Sequence, residues 1–127
     1  MCDEHCLMQM LREGELYAGL ILERPGSIAH HVALLPGEAV DVSWRQARAW
    51  AEENGGELPN RRELSLLYTN LKEQFAREWY WSSDPQESRP PLRSQLVWGQ
   101  NFTSGIQTAY GRPYLARARL IRRLQAP

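Results

Sequence analysis

The sequence predicts an α+β domain, and three observations lead there. Two helix-type segments, each opened by a capping-box pair, stand side by side between residues 43 and 75. Strand-type segments lie in blocks before and after them rather than alternating with them, which argues against a doubly wound parallel sheet. The chain has 127 residues and is 43% hydrophobic, enough to bury a core as one domain and too apolar for a disordered chain.

Residues 1–13 form an extension in which Cys6, Leu7, Met10 and Leu11 can share one side of a short helix. The domain proper is expected over residues 14–127. Glu15 to Glu23 reads as a strand, Arg24-Pro25-Gly26-Ser27 as a turn, and Ile28 to Leu35 as the returning strand of a hairpin. Pro36-Gly37-Glu38 ends it. Ser43, with Gln46 three residues on, opens the first helix, whose apolar side is Trp44, Ala47, Trp50 and Ala51; Gly55-Gly56 stops it. Asn60, with Glu63, opens the second, in which Leu64, Leu67, Tyr68, Leu71 and Phe75 recur at helical spacing.

After Phe75 the period shortens. Glu78 to Ser83 is aromatic and strand-like, and residues 84–93 hold three prolines and read as a loop. Ser94 to Phe102 alternates, with Leu96, Trp98 and Phe102 on one face and Asn101 on the other. Thr103-Ser104-Gly105 turns the chain into a short strand, Ile106 to Tyr110, and Gly111-Arg112-Pro113 breaks it. Leu115 to Leu124 reads as one last strand, with Arg122 on its apolar face and Arg117 and Arg119 on the other. Trp44, Trp50, Trp81 and Trp98 are expected in the core, and Trp79 outside it.

Fifteen basic and fifteen acidic residues cancel, which excludes a chain-wide basic surface for nucleic acid. The balance conceals an asymmetry. Every carboxylate lies between Asp3 and Glu87, so residues 1–87 carry −7 and residues 88–127, with seven Arg and no acid, carry +7. Fourteen of the fifteen basic residues are Arg, whose planar donor fork suits carboxylate, phosphate or sulfate. Either the basic end packs against the acidic part, or opposite patches drive self-association, or the end holds an anion. Arg117 and Arg119, about 7 Å apart along a strand, can straddle one anionic group. Arg112 between Tyr110 and Tyr114 adds a stacking surface, and Asn101 completes the candidate ligand-binding set.

Other chemistry has little footing in the sequence. Cys2, His5 and Cys6 are too few for a closed zinc site, and His30 and His31 point to opposite faces of a strand, so no metal and no cofactor are expected. Ser82-Ser83 has no nucleophile elbow around it and no His after His31, so no catalytic activity is expected. Two Cys cannot make a disulfide scaffold, no apolar run reaches the roughly 20 residues of a membrane span, and no signal peptide is visible at the start.

Five pieces stand in register over residues 44–123: the helix Trp44-Arg45-Gln46-Ala47-Arg48-Ala49-Trp50-Ala51; Gly55-Gly56-Glu57-Leu58-Pro59-Asn60-Arg61-Arg62-Glu63-Leu64; Tyr80-Trp81-Ser82-Ser83; Asn101-Phe102-Thr103-Ser104-Gly105; and Arg117-Ala118-Arg119-Leu120-Ile121-Arg122-Arg123. Together they resemble a bacterial and phage family that includes the C-terminal domain of a collagen-like adhesin. Gly14 to Leu22 resembles the leading hairpin of its short, stand-alone phage-type members. The resemblance implies a C-type-lectin-like fold with two helices beside a twisted antiparallel strand meander. It also implies that buried Arg122 pairs with Glu63. The loops by which many lectins of this fold hold calcium are absent, so calcium-dependent sugar binding is not expected. The expected function is a non-enzymatic, cytoplasmic, phage- or prophage-type binding module, oligomeric as a dimer or trimer. It would recognise an anionic small molecule or polysaccharide, or a bacterial or phage protein, through its Arg-rich end. An anti-defence protein, inhibiting an immune effector or sequestering a nucleotide signal, and a virion tail-tip component are the alternatives.

Overall fold

A computed structural model describes residues 9–86 and 96–126, in which two helices pack against two sheets. Strands β1 (Leu16–Ile21) and β2 (His30–Leu34) form the expected antiparallel hairpin, joined through the Arg24–Ser27 turn. Strand β3 (Ala39–Val42) precedes helix α1 (Trp44–Glu53). Helix α2 (Arg61–Leu71) leads into a 3-10 turn, Lys72–Gln74. Then come β4 (Trp79–Pro85), β5 (Val97–Asn101), β6 (Gln107–Tyr110), β7 (Ala116–Ala118) and β8 (Ile121–Gln125). The sheets run β1-β2-β8 and β3-β7-β4-β5-β6.

Both helix starts are as the sequence predicts. Ser43 Oγ accepts from the Gln46 N–H and the Gln46 side chain accepts from the Ser43 N–H; Asn60 and Glu63 do the same for α2. Gly55, at φ 67°, takes the left-handed conformation after α1 that side chains disfavour. Gly56 is needed for a different reason. A Cβ there would meet Leu120 Cβ at 2.9 Å.

Each helix closes its own core. Ala18, Ile21, Val32, Leu34 and Ile121 of the three-stranded sheet enclose Leu64 and Leu67 of α2, with Phe75, Tyr80 and Phe102 below. Trp44, Ala47 and Ala51 of α1 pack with Ala39, Trp81, Val97, Ala116, Ala118 and Leu120. The open edge of β1 is covered by α2: Asn70 donates to the Ala18 carbonyl at 2.6 Å and Arg62 to the Leu22 carbonyl at 2.9 Å. Such cover removes a template for strand addition.

Several expectations need correction. The expected last strand is two strands in different sheets. β8 returns to pair with β2, and β7 inserts between β3 and β4, parallel to β4 at Tyr80↔Arg117. Only β4-β5-β6 is a meander. At the crossing, Leu120 and Ile121 are both buried, one in each core, so the alternation restarts there. Strand β3 escapes sequence reading because it is four residues long and interrupted at Asp41, whose φ is 54°. Phe75 reaches the core from extended backbone, not from α2. On β5 it is Val97 that is buried, while Trp98 lies half-buried under the Arg61 guanidinium, 3.7 Å from its ring centroid. Trp50 is half-buried against the α1 core, and Trp79 is half-buried edge-on to Tyr110. Gln9 and Met10 are helical; the rest of the expected N-terminal helix up to residue 8, Cys2, His5, Cys6, and residues 87–95 of the proline loop lie outside the described residues. Among the described residues no helix is long and apolar enough to cross a membrane.

Candidate functional site

The arginines of the C-terminal strands are largely committed within the chain. Arg117 Nη1 donates to Glu38 at 2.8 Å, and the same carboxylate accepts from the Tyr80 hydroxyl. Burial pushes the Tyr80 phenol well above its ordinary pKa, and the Glu38 carboxylate pushes it further. Arg119 lies outside either strand. It donates to the Gln74 carbonyl at 2.6 Å and the Leu35 carbonyl at 3.0 Å, with its guanidinium over the Phe75 ring. Desolvation lowers its pKa. Arg117 and Arg119 therefore do not straddle one anion; the first holds a carboxylate and the second holds two backbone segments together.

Glu63 is paired, but with Arg123. The restarted alternation turns Arg123 inward beside Ile121. It meets fully buried Glu63 through two bonds, Nε to Oε2 at 2.7 Å and Nη2 to Oε1 at 2.8 Å. The His30 Nε2–H donates to the same carboxylate at 2.7 Å. Burial alone would raise the Glu63 pKa; the Arg123 fork, the Asn60 N–H and His30 outweigh it and hold it below the ordinary value. Arg122 turns to the other side of the sheet, where it grips Glu15 with Nε at 2.9 Å and Nη2 at 2.6 Å and reaches the Met10 carbonyl. That pair lowers the Glu15 pKa.

Asn101 is a turn residue. Its Oδ1 accepts from the Thr103 N–H at 2.7 Å and its carbonyl from the Gly105 N–H. Tyr110 and Tyr114 do form a stacked pair, centroids 4.7 Å apart and planes at 16°. Arg112 sits beside them, but its guanidinium faces α1.

That orientation assembles the strongest candidate site. The Trp44 N–H at the start of α1 donates to the Arg112 carbonyl at 3.1 Å, which docks the Arg112-Pro113 turn on the helix. The Trp44 indole N–H donates to the Ser82 carbonyl at 2.9 Å, so the ring is fixed and buried. Over it stand two guanidiniums, Arg48 at 4.7 Å and Arg112 at 5.1 Å from the ring centroid. Arg45 precedes Arg48 by three residues and so shares its helix face. These groups line a cleft of about 730 Å³ with Ser43, Gln46, Pro113 and Leu115. No carboxylate is among its lining residues. Arg45 and Arg48 have no carboxylate within 4.0 Å among the described residues. The N-terminal end of α1 adds its own partial positive charge.

Arg45 and Arg48 were not among the candidates drawn from the sequence. The signal was present in Trp44-Arg45-Gln46-Ala47-Arg48, two arginines at helical spacing just after a cap. The denser arginine run at the C-terminus outweighs it, and the fold consumes that run in ion pairs and, for Arg119, in backbone carbonyl contacts. A scan of family models and a search of curated proteins found no match to the chain.

Proposed function

We propose that this protein is a non-enzymatic binding module of phage or prophage type, cytoplasmic and C-type-lectin-like in fold, that recognises an anionic ligand in the cleft at the start of α1. One observation carries the reading: Arg45 and Arg48, which have no carboxylate within 4.0 Å among the described residues, line with Trp44 a concavity whose lining holds no carboxylate. Guanidiniums held over an aromatic ring offer their edges, where the donors are, to a phosphate, sulfate or carboxylate. The proposed site therefore moves from Arg117 and Arg119 to Arg45 and Arg48, with Arg112 lining the same cleft. The lectin-like assignment is supported by the return of the last strand to the first hairpin and by two helices lying between the strand blocks. A binding role rather than catalysis is supported by the histidines in the described residues, since His30 holds Glu63 and His31 the Tyr17 hydroxyl.

Thermal-shift titration with nucleotides, cyclic dinucleotides and sulfated sugars tests the reading, because a ligand of the folded state raises Tm by mass action. A stabilising anion is expected, with its effect fading as ionic strength rises. It should be lost in the Arg45→Ala/Arg48→Ala double variant and kept in Arg119→Lys. Unchanged affinity in the double variant for every anion that binds would defeat the proposal. The module is further proposed to self-associate, supported by the exposed Leu20, Leu22 and Ile28 of the hairpin, and light scattering should return a dimer or trimer mass.

A further inference from the structure

We infer that the outer face of α1 docks against the same face of a second copy of this chain, antiparallel about a twofold axis, so that the arginine cleft takes the partner's Glu52. The inference rests on the reading of that cleft as an anion site and names its anion. Arg45, Arg48, Ala49 and Glu52 fall on one side of α1 at helical spacing, and all four are exposed. The buried side of the helix is Trp44, Ala47 and Ala51. The stripe thus runs from two positive groups through a small apolar one to a negative one. Arg45 and Glu52 stand seven residues apart, about 10 Å along the axis. A twofold axis midway between them, beside Ala49, sets Arg45 opposite the partner's Glu52 and Glu52 opposite the partner's Arg45. An isologous contact makes every such pair twice. Ala49 carries nothing beyond its Cβ, so the two helices can approach closely there.

The placement of charge on α1 is the reverse of what the helix itself favours. Its first turn holds Arg45 and no acid, and its last turn holds Glu52 and Glu53 and no base, against the partial charges of its own ends. Helix α2 has the favourable order, with Glu63 in its first turn. Nor do the charges of α1 satisfy each other. Arg48 and Glu52 are four residues apart, yet the Arg48 guanidinium lies over Trp44 at 4.7 Å, and Glu52 has no ion pair among the described residues. An antiparallel copy answers both, bringing carboxylates to the N-terminal end and guanidiniums to the C-terminal end. A purely acidic partner would meet Glu52 and Glu53 with like charge, and a purely basic one would meet Arg45 and Arg48. The formal charge of the chain is zero, so two copies carry no net repulsion. Alone, α1 is about 15 Å long, too little for a standard interface of roughly 800 Å² per partner. Its surroundings extend the surface. The cleft adds Pro113 and Leu115, the latter 56% exposed, and a second concavity of about 630 Å³ shares Arg45 and Arg48 with it and reaches Leu58.

Charge reversal in the full chain tests the inference, with mass read by light scattering and sedimentation and folding by circular dichroism. The wild-type chain is expected to form a dimer that dissociates as ionic strength rises. Arg45→Glu makes the two ends of the stripe both acidic, and Glu52→Arg makes them both basic. Each variant alone should dimerise about tenfold more weakly than wild type, or worse. An equimolar mixture of the two should regain the dimer, since the acidic stripe of one then meets the basic stripe of the other. Contacts through the hairpin are untouched by these reversals and cannot produce that pattern. A monomeric or trimeric wild type, single reversals that associate as wild type does, or a mixture that stays monomeric would overturn the inference. Small-anion binding is read separately, by thermal shift in Arg45→Ala/Arg48→Ala. A small anion lost in that variant, beside reversals that leave the mass unchanged, would keep the cleft as an anion site and remove only the second copy from it. No anion bound and no change of mass would remove both.

Discussion

Glu63 shows how one side chain can serve three elements. It caps α2 through the Asn60 N–H, receives the Arg123 fork from β8 and takes His30 from β2. A carboxylate buried this fully persists because every lone pair is used. Removing Arg123 leaves that charge uncompensated. Arg123→Gln is expected to cost about 3 kcal/mol, the low end for breaking a buried pair, since Arg123 itself keeps 32% side-chain exposure. Arg122→Gln should cost about 2–3 kcal/mol as well, because it too strips a bidentate partner from a buried carboxylate: the Glu15 side chain is 3% exposed. Urea unfolding of the two variants compares them directly. If Arg123→Gln costs under about 1 kcal/mol, the assignment of Glu63 to Arg123 is wrong.

At the scale of elements, the two helices start alike and are not equally sensitive. Ser43→Ala is expected to cost about 1 kcal/mol, an ordinary cap loss. Asn60→Ala should cost more, since the same capping box positions Glu63 for Arg123 and His30. Thermal unfolding of both variants measures the difference. The turn between the helices is tight for a steric reason. Gly56 abuts Leu120, where the chain crosses from one sheet to the other, so Gly56→Ala should cost about 1–3 kcal/mol through overpacking. The helices, their caps and the hairpin were legible in the sequence because their signals are local: residues within four positions of one another. The crossing at Leu120-Ile121 was not. Nothing within ten residues distinguishes one ten-residue strand from two short ones that turn opposite faces to two cores.

For the molecule as a whole, part of the charge asymmetry is spent inside the fold. Of the C-terminal arginines, Arg117, Arg122 and Arg123 each hold a carboxylate from residues 15–63. This ties stability to pH. Glu63 and Glu15 are easier to ionise folded than unfolded, so the unfolded chain binds more protons around their titration. Their stabilisation is full at neutrality and is lost as pH falls below the ordinary value of 4.5. Tyr80 has the opposite sign: its proton is held more tightly in the folded state, so stability falls again as pH climbs past 10. The urea midpoint should therefore decline on both sides, and Glu63→Gln should flatten the acid limb. An acid limb of unchanged steepness in that variant would show that other groups govern it.

The sequence by itself determined the α+β class, both helices, the opening hairpin and the presence of an arginine-rich end. Tertiary structure alone decided which arginines stay outside. Local patterns record what a residue can do with its near neighbours; they carry no information about a carboxylate 60 positions away. Pairing across such distances consumed the conspicuous arginines and left Arg45 and Arg48, unremarked on a helix surface, to face the cleft.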